Sequence, residues 1–150
     1  MSEKDRAVEL FKEGFNCSQS VFTAFAHRFG IDEDTAKKIS AGLGGGVGRM
    51  REVCGAVGGA AMVIGSICSA TEGHDAETKQ KNYELVREFA DRFTKENGSI
   101  ICRELLGLDV QMENLAKPDS RTAEYYRKRP CVELVGCAAT ILEEMIKENE

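Results

Sequence analysis

Apolar residues recur at helical spacing along nearly the whole chain, and no segment alternates as a strand would. Ala7, Val8, Leu10 and Phe11 form one side of a first short helix, with Ser2 placed to cap it and Gly14 to end it. Asn16 opens a second helix, and Gln19 three residues later completes a capping-box pattern. The inner face of that helix holds Val21, Phe22, Phe25 and Phe29, with Gly30 as the residue just past its end. Asp32 caps a third segment that turns Ala36 and Ile39 inward. The strongest period runs from about Asp75 to Glu96, with Tyr83, Leu85, Val86, Phe89, Ala90 and Phe93 on one side and Asn97-Gly98 as the break. Ser99 is placed to cap a short helix carrying Ile101, Leu105 and Leu106. Residues 107–129 show no clear period and read as loop, with a turn at Pro118-Asp119. Pro130 suits the first turn of a last helix over 131–148.

Positions 42 to 59 break this rhythm, holding eight of the fifteen glycines. The spacing predicts a loop over 42–51 and a helix of small residues over roughly 52–70. Residues 53–71 carry no charge and are long enough to span a bilayer. They are mostly Gly, Ala and Ser, which contribute little to insertion, while Gly55 and Gly59 suit close packing against another element. A buried central helix is therefore expected, with no membrane span. The whole pattern predicts an all-α fold: a compact bundle of about six helices, one domain over residues 1–150, in which a glycine-rich loop leads into the central small-residue helix.

Composition narrows the function classes. The chain is 42% hydrophobic and 30% charged, with a net charge of −5 and no dense Lys/Arg stripe, so a nucleic-acid backbone is not its expected partner. The charged start lacks the apolar stretch of a signal peptide, and a cytoplasmic location is expected. In a reducing compartment, six cysteines in 150 residues point to thiol chemistry or metal ligation before a disulfide framework.

The run Gly44-Gly45-Gly46-Val47-Gly48 invites a nucleotide reading and fails it. No register yields G-x-G-x-x-G, because the third position falls on Val47, Arg49 or Arg51. There is no Gly-Lys-Ser/Thr ending, and no strand precedes the run. What remains is a loop that needs left-handed backbone at several positions and leads into a helix start, an anion-friendly place made more so by Arg49 and Arg51.

The cysteines stand at 17, 54, 68, 102, 131 and 137, and no C-x-x-C pair occurs. Cys17, Cys54, Cys102 and Cys131 all fall in the first turn of an expected helix. There, unpaired N–H groups and a partial positive charge favour thiolate, the nucleophilic and metal-ligating form. Basic neighbours reinforce this: Arg49 and Arg51 before Cys54, Arg103 beside Cys102, Lys128 and Arg129 before Cys131. Cys102-Arg103-Glu104-Leu105 and Cys131-Val132-Glu133-Leu134 share a pattern whose glutamates suit either a helix cap or a proton donor. Cys68 and Cys137 sit among apolar residues and read as small core fillers. His27 and His74 read as exposed.

Asn16-Cys17-Ser18-Gln19, the run Gly44 to Arg49 followed by Cys54-Gly55-Ala56-Val57-Gly58-Gly59, then Cys102-Arg103-Glu104-Leu105 and Arg129-Pro130-Cys131 together resemble the C_GCAxxG_C_C family of redox-active proteins. The likeness spans roughly residues 17 to 142, with Cys-Gly-Ala here in place of the Gly-Cys-Ala of the family label. It implies a small, mainly helical protein in which Cys17, Cys54, Cys102 and Cys131 are the family cysteines. A similar domain occurs in split-Soret-type cytochromes, but this chain has no C-x-x-C-His and so no c-type haem attachment of its own.

Three functions follow as expectations. In the first, thiolates from Cys17, Cys54, Cys102 and Cys131 converge to bind zinc or an iron–sulfur cluster. Gly55, Ala56 and Gly59 would then let backbone N–H groups approach the sulfurs, with Arg49, Arg51, Glu104 and Glu133 around them. In the second, two of the four, Cys54 with Cys17 or with Cys131, cycle between thiol and disulfide with an unidentified redox partner. In the third, the cysteines are structural and the domain, alone or as a homodimer, acts by interaction. A cysteine hydrolase is not expected, because no histidine accompanies a candidate nucleophile. Whether the protein is an enzyme stays open at this stage.

Overall fold

A computed structural model of the chain describes residues 1–107 and 116–150. They are all-α, with no strand beyond one isolated bridge between Val53 and Ile101. Eight α-helices are described: α1 (Glu3–Lys12), α2 (Cys17–Ala24), α3 (Glu33–Ser40), α4 (Gly55–Ile67), α5 (Ala76–Asn97), α6 (Cys102–Leu106), α7 (Ala123–Lys128) and α8 (Cys131–Glu148). Short 3-10 turns follow α2 at Ala26–Arg28 and α3 at Ala41–Leu43.

Local chemistry fixes most helix starts. Ser2, Asp32, Asp75 and Thr122 each accept a hydrogen bond from the backbone N–H three residues on, at the heads of α1, α3, α5 and α7. Asn16 does more. Its Oδ1 accepts from the Gln19 N–H at 2.9 Å while Gln19 Oε1 accepts from the Asn16 N–H at 3.0 Å, closing the capping box of α2. Gly98 ends α5 in the left-handed region at φ +92°.

Helix α2 lies at the centre, packed on α1, α3, α4 and α8, while α5 closes the far side against α4 and α8. Phe11, Val21, Phe25, Val63, Phe89, Phe93, Val135 and Leu142 are fully buried between them. Each such side chain contributes about 1.5–3 kcal/mol on leaving water. Helix α4 slides against α2 on bare backbone. A Cβ on Gly59 would stand 2.9 Å from the Ser18 carbonyl oxygen, and one on Gly55 3.1 Å from the Ser18 nitrogen. Glycine inside a helix costs roughly 0.5–1 kcal/mol relative to alanine, a cost offset here by the close approach it permits.

Several expectations change. Helix α4 spans 13 residues, shorter than the expected 52–70, and at about 1.5 Å per residue falls short of a bilayer core. Among the described residues no helix is long and apolar enough to cross a membrane. Ile39 and Tyr83, expected inward, are 53% and 64% exposed, because each lies on a helical face that no neighbour covers. Helix α2 stops at Ala24, and its chain reaches Gly30 through the 3-10 turn. Ser99 accepts from the Ile101 N–H in a tight turn, leaving Ile101 itself at the cap of α6. Helix α7 lies where loop was expected, and residues 108–115 of that stretch lie outside the described residues. Cys68 and Cys137 are half-buried: Cys68 ends α4 outside the core, and Cys137 packs against the core while accepting a hydrogen bond from Asn97 Nδ2 at 3.4 Å.

Candidate functional site

Cys17, Cys102 and Cys131 are each the first residue of a helix, α2, α6 and α8, and Cys54 is the residue that caps α4. All four line one cavity of about 360 Å³. Sulfurs far apart in sequence are brought together by helix ends that meet at this point.

Two local devices place them. The first joins Cys54 and Cys102. The Val53–Ile101 bridge is flanked by hydrogen bonds from Cys54 N to the Ile100 carbonyl at 2.8 Å and from Cys102 N to the Glu52 carbonyl at 2.6 Å. Helices α4 and α6 therefore start from a common anchor. The second is the glycine loop. Gly45, Gly46, Val47, Gly48 and Arg49 are consecutive left-handed residues with φ between 56° and 71°, and Arg51 follows at φ 60°. For Val47, Arg49 and Arg51 this costs on the order of 1–3 kcal/mol each. The turn holds itself through bonds such as Gly48 N to Gly42 O at 2.9 Å and Glu52 N to Gly46 O at 2.9 Å. It packs so closely that a Cβ on Gly46 would stand 2.7 Å from the Cys102 Cβ, and one on Gly44 would run into the Asn16 side chain at 2.2 Å. Asn16 in turn donates from Nδ2 to the Ala41 carbonyl at 3.0 Å, tying the head of α2 to the start of the loop.

The four thiols have unequal surroundings. Cys17 and Cys131 line the same cavity and bias each other's protons in opposite directions. The neighbouring Cys131, with burial and the other two sulfurs, holds the Cys17 proton far more tightly than in an ordinary thiol. Cys131 moves the other way, down to about 7, chiefly through the Cys17 thiol; burial opposes this, and Arg129, the Tyr125 hydroxyl and Arg121 add to it. Cys54 is pushed up to about 12 by burial, against the pull of the Ala56 and Val57 N–H groups at its sulfur. Cys102 is also raised by burial, opposed by Arg51, whose Nη1 lies 3.7 Å from its Sγ. One thiolate at neutral pH, on Cys131 beside a protonated Cys17, is the arrangement these causes favour.

The surrounding residues separate cleanly. Arg51 is buried at 5% exposure against Cys102, and Arg49 reaches Asp119 Oδ2 at 3.2 Å on the cavity wall. Gly55 and Gly59 bring α4 against Cys17 and Ser18, and Ala56 turns its N–H to Cys54. Glu104 and Glu133 are exposed and are not among the described residues lining the cavity; Glu104 accepts from the Ser99 hydroxyl, and Glu133 faces a separate groove on α8. A residue two positions after a helical cysteine lies about 200° round the axis, so the shared pattern turns both carboxylates away. The side chain of Lys128 lies outside the described residues. His27 contacts Glu3 at 3.0 Å on the surface, and His74 is exposed.

Sequence reasoning missed Tyr125 and Arg121. Tyr125 lines the cavity with Cys131, and its hydroxyl helps to lower the pKa of that thiol. Arg121 stacks on Phe11 and Tyr125, with its guanidinium carbon 4.1 and 5.1 Å from the ring centres, and donates to the Phe11 and Phe15 carbonyls at 2.8 and 2.9 Å. Thr122 followed by Glu124 is a local helix-start signal for α7, but a six-residue helix carries too little period to stand out.

Neither the curated proteins nor the solved structures contain a match to this chain. A family model does match, over residues 15–145, under the description "putative redox-active protein (C_GCAxxG_C_C)". That span runs from the capping box of α2 to the last turns of α8 and takes in all four cavity cysteines. The chain belongs to the C_GCAxxG_C_C family.

Proposed function

We propose that the protein is a thiol–disulfide redox protein in which Cys131 is the attacking thiolate and Cys17 the resolving thiol. The observation that carries this reading is that Cys17 and Cys131 open into one cavity with Arg121, Tyr125 and Arg129 beside them. A thiolate with a pKa near ambient pH is close to the optimum for attack.

The electron count closes. The Cys131 thiolate attacks one sulfur of a disulfide R–S–S–R, forming Cys131–S–S–R and releasing RS⁻. Cys17 then gives up its proton to the released thiolate and attacks the Cys131 sulfur. This expels the second RS⁻ and leaves a Cys17–Cys131 disulfide. The substrate gains two electrons and the dithiol loses them; a dithiol reductant restores the protein.

Zinc or an iron–sulfur cluster is the competing reading, and the donor chemistry suits it, since four thiolates are the standard set for either. Position is less favourable. Among the described residues, no three His, Cys, Asp or Glu side chains stand together so that they could hold a metal ion. The mechanism therefore takes no step through a metal.

The test is stepwise oxidation of anaerobically purified, reduced protein, with peptide mapping of the alkylated product and elemental analysis of the starting material. Two thiols lost from residues 17 and 131 are expected. Stoichiometric zinc or iron, released only when the four cavity cysteines are modified, would replace this reading with the metal one.

A further inference from the structure

Helix α7 has six residues, well short of the roughly 12–15 that an isolated helix needs in water. It nonetheless carries Tyr125, which lines the cavity with Cys131. Thr122 caps it, accepting from the Tyr125 N–H at 3.1 Å, but a cap does not fix a helix to the rest of the molecule. Arg121, the residue before that cap, does. Its Nη1 donates to the Phe11 carbonyl at 2.8 Å and its Nη2 to the Phe15 carbonyl at 2.9 Å. Those carbonyls stand at and just beyond the C-terminal end of α1, where backbone acceptors look for partners outside the helix and a cation is favoured. The same guanidinium carbon lies 4.1 Å from the centre of the Phe11 ring and 5.1 Å from that of Tyr125. Tyr126 completes the cluster, edge-on to both rings. One side chain thus grips the end of α1 by two hydrogen bonds and Tyr125 by its ring. A planar fork can do this, whereas the point charge of a lysine cannot.

We propose that Arg121 is a positioning residue of the cysteine site, locking α7 onto the end of α1 so that Tyr125 stays beside Cys131. This rests on the thiol–disulfide reading above in taking Cys131 as the attacking thiolate. Tyr125 lowers the Cys131 pKa more than the Arg121 charge does directly, so the route through the ring is the larger one. Cys17, Cys54, Cys102 and Tyr125 are the titratable thiols and hydroxyl that share the cavity with Cys131, and Arg49, Arg51, Arg129 and Asp119 are the charges there besides Arg121. Of these, Arg121 contacts Tyr125. A substitution at 121 therefore reaches Cys131 by two routes, the ring and the charge, and they can be separated. Burial raises the Tyr125 hydroxyl above its ordinary 10.0, so it stays protonated while Cys131 titrates.

The test is the pH profile of Cys131 alkylation in the full reduced chain, read by peptide mapping. It is measured for Arg121→Lys, Arg121→Gln and Tyr125→Phe, and for Arg121→Lys combined with Tyr125→Phe. Arg121→Lys keeps the charge and loses the fork. It is expected to raise the Cys131 midpoint by roughly half a pH unit or more, close to the effect of Arg121→Gln. The combined variant should shift no further than Tyr125→Phe alone, because a displaced ring has no hydroxyl effect left to lose. An unchanged midpoint in Arg121→Lys, or a combined shift equal to the sum of the two single ones, would overturn the positioning role and leave Cys131 as the thiolate. A midpoint near the ordinary 9.0 in the unaltered chain would instead overturn the function proposed above, and this inference with it. Should the Arg121 variants not fold, the Arg121 Nη proton signals of the unaltered chain decide by NMR. Separate, slowly exchanging resonances are expected, and a single averaged one would overturn the grip on α1.

Discussion

Arg51 Nη1 lies 3.7 Å from the Sγ of Cys102, one residue beyond the bridge that joins their two segments. The guanidinium opposes the burial that raises the Cys102 thiol. Arg51→Met should therefore push Cys102 further up and slow its alkylation at pH 8–9 severalfold. Mass-spectrometric rate measurement at residue 102, against Cys137 as an internal reference, checks this.

The Cys131–Cys17 pair predicts a pH profile. Cys131 has a folded pKa depressed to about 7, below its ordinary value of 9.0, so the stability it contributes is present above the unfolded pKa and lost as pH falls through the folded one. Alkylation of Cys131 should rise with a midpoint near pH 7. Tyr125→Phe, which removes that hydroxyl, should move that midpoint upward. A midpoint near 9 in the unaltered protein would refute the assignment of the thiolate.

Cys54 predicts the opposite limb. Its folded pKa, about 12, lies above that of the unfolded chain, so in alkaline solution the unfolded state loses this proton first. Stability should fall between about pH 9 and pH 12. Cys54→Ala should flatten the fall, as read from denaturant midpoints across that range.

Gly59 and Gly65 share helix α4 and should respond in opposite directions to alanine. A Cβ on Gly59 would stand 2.9 Å from the Ser18 carbonyl, forcing α2 and α4 apart, and the variant should lose about 2 kcal/mol or more, as overpacking does. Gly65 has open space around it, so Gly65→Ala should stabilise by about 0.5–1 kcal/mol through helix propensity alone. Urea denaturation of both variants separates packing from propensity.

Asn16 serves two elements at once, capping α2 and holding the Ala41 carbonyl. Asn16→Ala should cost about 1–2 kcal/mol, the upper part of the range for a lost cap. It should also raise the exchange rate of amides in the glycine loop, measurable by hydrogen exchange.

What could be read from the residues alone follows the range of the interactions. Capping signals act over three residues, so Ser2, Asn16 and Asp32 announced their helices, and Asn16 with its own the placement of Cys17 at a helix start. The inward faces of Ile39 and Tyr83 depended on a neighbour that the fold does not supply, and periodicity alone cannot report a missing partner. The pairing of Cys17 with Cys131 lies beyond any local signal, since only the docking of α8 beside α2 creates it. Arg121 was invisible for the same reason: its acceptors, the Phe11 and Phe15 carbonyls, are more than a hundred positions away. The left-handed turn was half legible. Its glycines announced it, but Val47, Arg49 and Arg51 adopt backbone angles that their own side chains disfavour.

Because the heightened acidity of Cys131 needs a thiol from α2, a tyrosine from α7 and arginines from either side of that helix, no fragment of the chain possesses it. The one thiol of lowered pKa thus arrives together with the finished tertiary structure, while the same packing makes Cys17, Cys54 and Cys102 harder to ionise than in the open chain.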